Sequence, residues 1–161
     1  MDWIKIVLIF LLGLFGLILI ATYLARKKRI KNFRKKLEKG LNNGWEFEKF
    51  VAELFKKCGY KVTTTKGTHD FGADIIVQKR GSMVVLQAKY LSSTPSTTAL
   101  DEALAAAMIY GATEIGLVTN TQLSDSLKEY ARKIEETTFI KKVILIGRKE
   151  LERVMNGERL I

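Results

Sequence analysis

The sequence predicts an α/β domain built on a mixed sheet flanked by helices, preceded by one transmembrane helix. Three observations predict it. Residues 6–21, IVLIFLLGLFGLILIA, carry no polar side chain. Beyond residue 43, helix-spaced and strand-spaced apolar patterns alternate. Two late segments, EIGLVTN at 114–120 and KKVILIG at 141–147, are nearly all apolar, as in strands covered on both faces by helices.

The apolar run comes first. About 20 helical residues span a bilayer core of ~30 Å, and a buried soluble helix would show a polar face that this run lacks. Trp3 and Tyr23 stand near its two ends, where aromatic side chains favour the membrane interface. A cleaved signal peptide fits poorly, because the charge lies on the carboxyl-terminal side and no small-residue cleavage site precedes it. Residues 1–25 are therefore expected to cross the membrane with the amino terminus outside and the remainder in the cytoplasm.

Residues 26–42 read as a basic juxtamembrane linker opening with RKKRIKNFRKK. The formal net charge of +10 concentrates there: residues 26–39 hold nine Lys/Arg against Glu38, whereas residues 40–161 hold 17 basic against 15 acidic side chains. The excess suits topology setting and attraction to anionic lipids, worth about 1 kcal/mol per basic residue near the surface. It is weaker evidence for nucleic acid than the total suggests. One Cys and one His exclude an internal disulfide and a His/Cys zinc site within one chain. Cys58 falls on the apolar stripe of a helix and reads as core.

Residues 43–156 form the expected soluble domain. WEFEKFVAELFKKCGY has apolar residues at 47, 50, 51, 54, 55 and 58, a helical spacing. YKVTTT at 60–65 is β-rich, and KGTHDFG at 66–72 is a turn-rich loop. ADIIVQK at 73–79 and SMVVLQAKY at 82–90 are strands around Arg80-Gly81. An Ala-rich helix runs from Thr98 to Tyr110, with Thr98 and Asp101 in capping-box spacing. After the apolar strand at 114–120 comes an amphipathic helix over 123–136, then the strand at 141–147 and a short helix over 148–155.

The hairpin gathers chemistry. A two-residue loop at Arg80-Gly81 pairs Lys79 with Ser82, which sets Asp74 opposite Gln87 and Gly72 opposite Lys89. Opposed residues have Cβ atoms ~4.5–5.5 Å apart on one face, so Asp74, Gln87 and Lys89 converge at the open end unless a bulge shifts the register. Asp74 and the Gln87 carbonyl can hold a hard cation such as Mg²⁺. Lys89 can neutralise charge developing on a phosphate. Spacing alone leaves an equal reading open: a surface ion pair of Asp74 with Lys89 beside an indifferent glutamine. On the first helix, Glu48 lies about 20° past the Phe55 edge of the apolar stripe, and Glu46 lies farther from the other edge. A solvated helix glutamate is the plain alternative for both.

The ordered set GWEFE, GY.V, D.G.D, Q.K and a strand ending in VTN resembles the Mrr-type (type IV) restriction endonuclease catalytic domain of the PD-(D/E)xK nuclease superfamily. The match covers about residues 43–155. No single piece is specific; the order and spacing are. The resemblance implies a restriction-endonuclease-like fold and DNA phosphodiester hydrolysis with Mg²⁺, or Mn²⁺ in its place. It implies a metal-dependent centre of Asp74, Gln87 and Lys89, assisted by Glu48, with Asp74, Gln87 and Glu48 as metal ligands. Asp70 matches a further acidic position, read with Glu46 as supporting the centre. Gln87 in place of an acidic residue leaves fewer anionic ligands. Family members carry a separate DNA-reading domain, and here a membrane helix occupies that side.

These expectations give a membrane-anchored DNA endonuclease with a restriction or DNA-processing role. Two readings stand beside it: an inactive nuclease-fold module that recruits DNA or protein to the membrane, and a Holliday-junction resolvase-like enzyme. Cutting both strands of a duplex calls for two centres, which a homodimer would supply.

Overall fold

The computed structural model describes residues 2–65, 72–79, 81–156 and 158. The chain divides into two units, Met1–Glu38 and Lys39–Ile161. The first is a single helix, α1 (Asp2–Glu38). Its Trp3–Ala25 stretch is long and apolar enough to cross a membrane, at about 34 Å for ~1.5 Å per residue. Thr22, a polar interruption, donates its hydroxyl to the Leu19 carbonyl within the helix (2.9 Å). The basic stretch continues this helix without a break as far as Glu38. Arg, Lys, Leu and Glu are strong helix formers, and no Gly or Pro falls between residues 26 and 39.

The second unit opens with α2 (Gly44–Lys57). Its N-cap is Asn43, whose side-chain oxygen accepts from the Glu46 N–H (3.0 Å). The Glu46 carboxylate in turn accepts from the Asn42 backbone N–H (3.1 Å) and the Asn42 side-chain amide (3.0 Å). The first of these bonds satisfies a donor that the helix start leaves unpaired, and the other two tie the preceding residue to the first turn. Phe47, Phe50, Val51, Leu54 and Phe55 form the buried stripe that the spacing predicted.

There follow β1 (Lys61–Thr64), β2 (Ile75–Lys79), β3 (Ser82–Lys89), α3 (Thr98–Tyr110), β4 (Glu114–Thr119), α4 (Asp125–Thr137), β5 (Lys142–Ile146) and α5 (Arg148–Met155). The sheet order is β1-β2-β3-β4-β5. Strands β1 to β3 are antiparallel, while β3, β4 and β5 run parallel through the crossovers α3 and α4. This is the mixed five-stranded sheet expected from the sequence. The β2–β3 ladder holds the expected register from Ile75↔Leu86 to Lys79↔Ser82.

The two faces are covered differently. Val85, Ile115 and Leu117 share a core with Ala99, Leu100 and Ala103 of α3 and with Leu127, Ala131 and Ile134 of α4. The other face receives α2, where the Phe47 and Tyr90 rings lie 5.5 Å apart between centroids. Side chains alternate along a strand. Gln87 and Lys89 therefore share the α3 face with Val85, and Val84, Leu86 and Ala88 share the α2 face.

A tyrosine joins α4 to α3. The Tyr130 hydroxyl donates to Asp101 Oδ1 (2.5 Å). That bond is the main cause that raises the phenol above its ordinary value, with burial and the Asp101 charge adding to it. A phenol raised in the folded state contributes stability that is present below pH ~10 and lost as pH climbs through the folded value. Phenolate absorbance during an alkaline titration should show the Tyr130 phenol ionising at lower pH in Asp101→Asn than in the wild type, because the variant lacks the bond that raises it.

Candidate active site

The site forms where the antiparallel half of the sheet meets the parallel half, at the carboxyl end of β3. Asp74 stands one residue before β2, and there the ladder departs from the simple extension of its register. The Asp74 N–H donates to the Leu86 carbonyl (3.2 Å), although Leu86 already partners Ile75. Two residues of one strand then face one residue of the other, the count that defines a bulge. Asp74 is therefore not directly opposite Gln87, and the extrapolated pairing of Gly72 with Lys89 ends with it. The carboxylate still arrives. Asp74 Oδ2 accepts from the Ala88 N–H at 2.7 Å, so it sits against the backbone of β3 between Gln87 and Lys89. On its other side the segment is tied to the end of β1: the Thr65 N–H donates to the Asp74 carbonyl (3.1 Å), and the Thr65 hydroxyl donates to the Ala73 carbonyl.

Gln87 is buried at 6 % exposure, and its Oε1 has no hydrogen-bond donor among the described residues. A buried acceptor without a partner costs about 1–3 kcal/mol. Lys89 reaches toward α3, where its Nζ lies 2.5 Å from Glu102 Oε2. That carboxylate oxygen is buried and has no donor in hydrogen-bonding geometry, so the contact is an ion pair.

Gly72 brings the segment before Asp74 against the same helix. A Cβ at this position would lie 2.8 Å from the Glu102 carbonyl oxygen, and the backbone adopts φ +86°. Only glycine meets both demands without strain.

The end of β3 is fastened from the neighbouring strand. The Asn120 side chain donates to the Leu91 carbonyl and accepts from the Leu91 N–H, both at 2.8 Å. Thr119 is fully buried, and its hydroxyl accepts from the Thr121 N–H (3.3 Å). Asn120, last residue of the VTN that ends the strand pattern, thus clamps the chain that leaves the site.

The remaining expected residues stand on α2 or lie outside the described residues. Glu48 is half-buried on α2, the helix that covers the Val84–Leu86–Ala88 face. Glu46 holds the start of α2 through Asn42. Asp70 lies outside the described residues. Glu102 is not among the residues expected from the sequence. Its signal was a charged side chain three residues after Ala99 and four before Ala106, within the buried stripe of an Ala-rich helix.

Among the described residues, no three His, Cys, Asp or Glu side chains gather as a ready metal cage. The donors present are nonetheless those a hard cation takes: a carboxylate at Asp74, a carboxylate at Glu102 and the orphaned carbonyl oxygen of Gln87. The unpartnered Gln87 oxygen is the feature that best fits an ion at this place.

Comparisons with known proteins agree with the architecture. A family model described as restriction endonuclease, Mrr_cat, matches residues 42–155. Among solved structures, a protein of unknown function, AF1548, is similar with a TM-score of 0.52 and 18 % identity, over 65 % of this chain and 58 % of its own. The MspJI restriction endonuclease in complex with a 27-mer oligonucleotide is similar with a TM-score of 0.50 and 16 % identity, over 83 % of this chain and 30 % of its own. This chain thus corresponds to less than two thirds of either neighbour. No curated protein matches it significantly.

Proposed function

We propose that this chain, which belongs to the Mrr_cat restriction endonuclease family, is a divalent-cation-dependent DNA endonuclease anchored in a membrane by α1. The observation that carries the reading is the meeting of Asp74 Oδ2 with the Ala88 N–H, between Gln87 and Lys89, in a chain of nuclease family. Domains of this family generally use divalent metals. The Asp74 carboxylate and Gln87 Oε1 would hold such an ion, Mg²⁺ or Mn²⁺, which would supply Lewis-acid polarisation of a phosphoryl oxygen.

The other roles belong to side chains of this chain. The Lys89 ammonium donates to the scissile phosphate and neutralises charge as water adds to phosphorus and the ester P–O bond breaks. Asp74, held at Oδ2 by the Ala88 N–H and at its backbone carbonyl by the Thr65 N–H, would offer its carboxylate to the ion. Glu48 assists from α2, and Asp70 supports the centre. Residues 43–156 form the nuclease domain, placed in the cytoplasm by a span over residues 1–25, with the basic stretch 26–42 against anionic lipids. DNA is the substrate class supported by the family and by the neighbour solved with an oligonucleotide. A homodimer would supply the two centres needed to cut both strands.

The test is nicking of supercoiled plasmid by the full-length chain in detergent with Mg²⁺ or Mn²⁺. Asp74→Asn keeps an oxygen to accept from Ala88 and removes the charge. It should lower the rate at least ~100-fold, because a few kcal/mol of transition-state stabilisation depends on the ion. Cleavage of four-way junctions but not plasmid would move the function to junction resolution. Retained DNA binding with no cleavage of methylated or unmethylated DNA would leave a binding module.

A further inference from the structure

The proposed centre is short of negative charge. Of its strand residues only Asp74 is anionic, since Gln87 is a neutral amide. Three independent observations bring a second carboxylate to it. Glu102 Oε2 lies 2.5 Å from Lys89 Nζ. The Gly72 backbone, two residues before Asp74, runs so close to Glu102 that a Cβ would meet its carbonyl at 2.8 Å. Gln87 Oε1 is buried and unpartnered on the same face of β3, the face that α3 covers.

We propose that Glu102 is the second anionic ligand of the centre, delivered from α3 in place of the acid missing at position 87. The inference rests on the metal-dependent reading above and assigns it a residue outside the motif. Its physical basis is charge. Among Asp74, Gln87, Lys89 and Glu102, one ammonium beside two carboxylates and one amide leaves a net single negative charge, which favours a divalent cation; removing Glu102 leaves these side chains neutral. The Lys89 ion pair is then the contact that a cation competes for. Trading it releases the Lys89 ammonium toward a phosphate. Both side chains are about one-third exposed, so little is lost when the pair opens.

The experiment measures Mn²⁺ binding to the full-length chain in detergent, by calorimetry or electron paramagnetic resonance, with no DNA present. Glu102→Gln is expected to weaken Kd at least ~10-fold, the loss typical when a group serving a metal site is removed. Gln87→Glu combined with Glu102→Gln is expected to recover most of it, which a variant that merely misfolds would not do. Glu53→Gln, on an exposed position of α2, should bind as the wild type does. If Glu102→Gln binds like the wild type while Asp74→Asn does not, Glu102 is only the partner of Lys89; the proposal falls and the Asp74 centre stands. If the wild type binds no Mn²⁺, the metal-dependent reading falls and takes the proposal with it.

Discussion

Lys89→Ala should abolish DNA nicking by the full-length chain, with initial rates on supercoiled plasmid falling by at least ~100-fold. Removing one preorganised donor from developing transition-state charge typically costs about 10²–10³ in rate. The side chain stands on the carboxyl end of β3, which the Ala88 bond to Asp74 fixes on one side and the Asn120 clamp on the other. Its ammonium is therefore presented by backbone held at both edges. Lys89→Arg should rescue little, since a planar fork and a compact ammonium do not fill the same position. The fold should scarcely notice either change, because a partly exposed ion pair contributes about 0–1 kcal/mol. Circular dichroism melts alongside the rates separate the two effects. Nicking by Lys89→Ala within tenfold of the wild type would remove this lysine from the chemistry.

Gly116→Val should cause the largest loss of stability. Gly116 lies in β4, between Leu86 of β3 and Ile144 of β5. A Cβ there would come within 2.7 Å of the Ile144 carbonyl oxygen and 2.7 Å of Leu86 Cδ2. The leucine can turn aside, but the carbonyl belongs to the ladder and cannot. Overpacking of this kind costs about 1–3 kcal/mol, and a β-branched side chain against backbone belongs at or beyond the upper end. For a unit of this size that is a drop of roughly 10 °C in Tm. A differential scanning melt within 3 °C of the wild type, taken as about 1 kcal/mol or less, would show that the strands spread without strain.

Much of this was legible in the chain. The hairpin register followed from the Arg80-Gly81 turn, because turn length fixes pairing, and the ladder from Ile75 to Lys79 obeys it. The parallel strands were visible in the unbroken apolar runs of β4 and β5. The bulge at Asp74 was not, because it depends on the Leu86 carbonyl accepting a second N–H, and no residue type announces that. Glu102 was hidden for a different reason. Its contact with Lys89 spans the β3–α3 connection and exists only once the helix is laid over the strand. The basic stretch after residue 25 reads as a linker by charge; its residue types are helix formers, and α1 runs through it to Glu38.

The bond from the Ala88 N–H to Asp74 bears on motion at the end of β3. Most amides in a sheet exchange with solvent only when strands separate, but this one is guarded by a side chain that can rotate away by itself. Its deuterium uptake therefore reports the position of one carboxylate rather than the opening of the domain. Exchange at Ala88 that is faster than at Leu86, with neighbouring strand amides unchanged, would follow the comings and goings of the Asp74 side chain in real time.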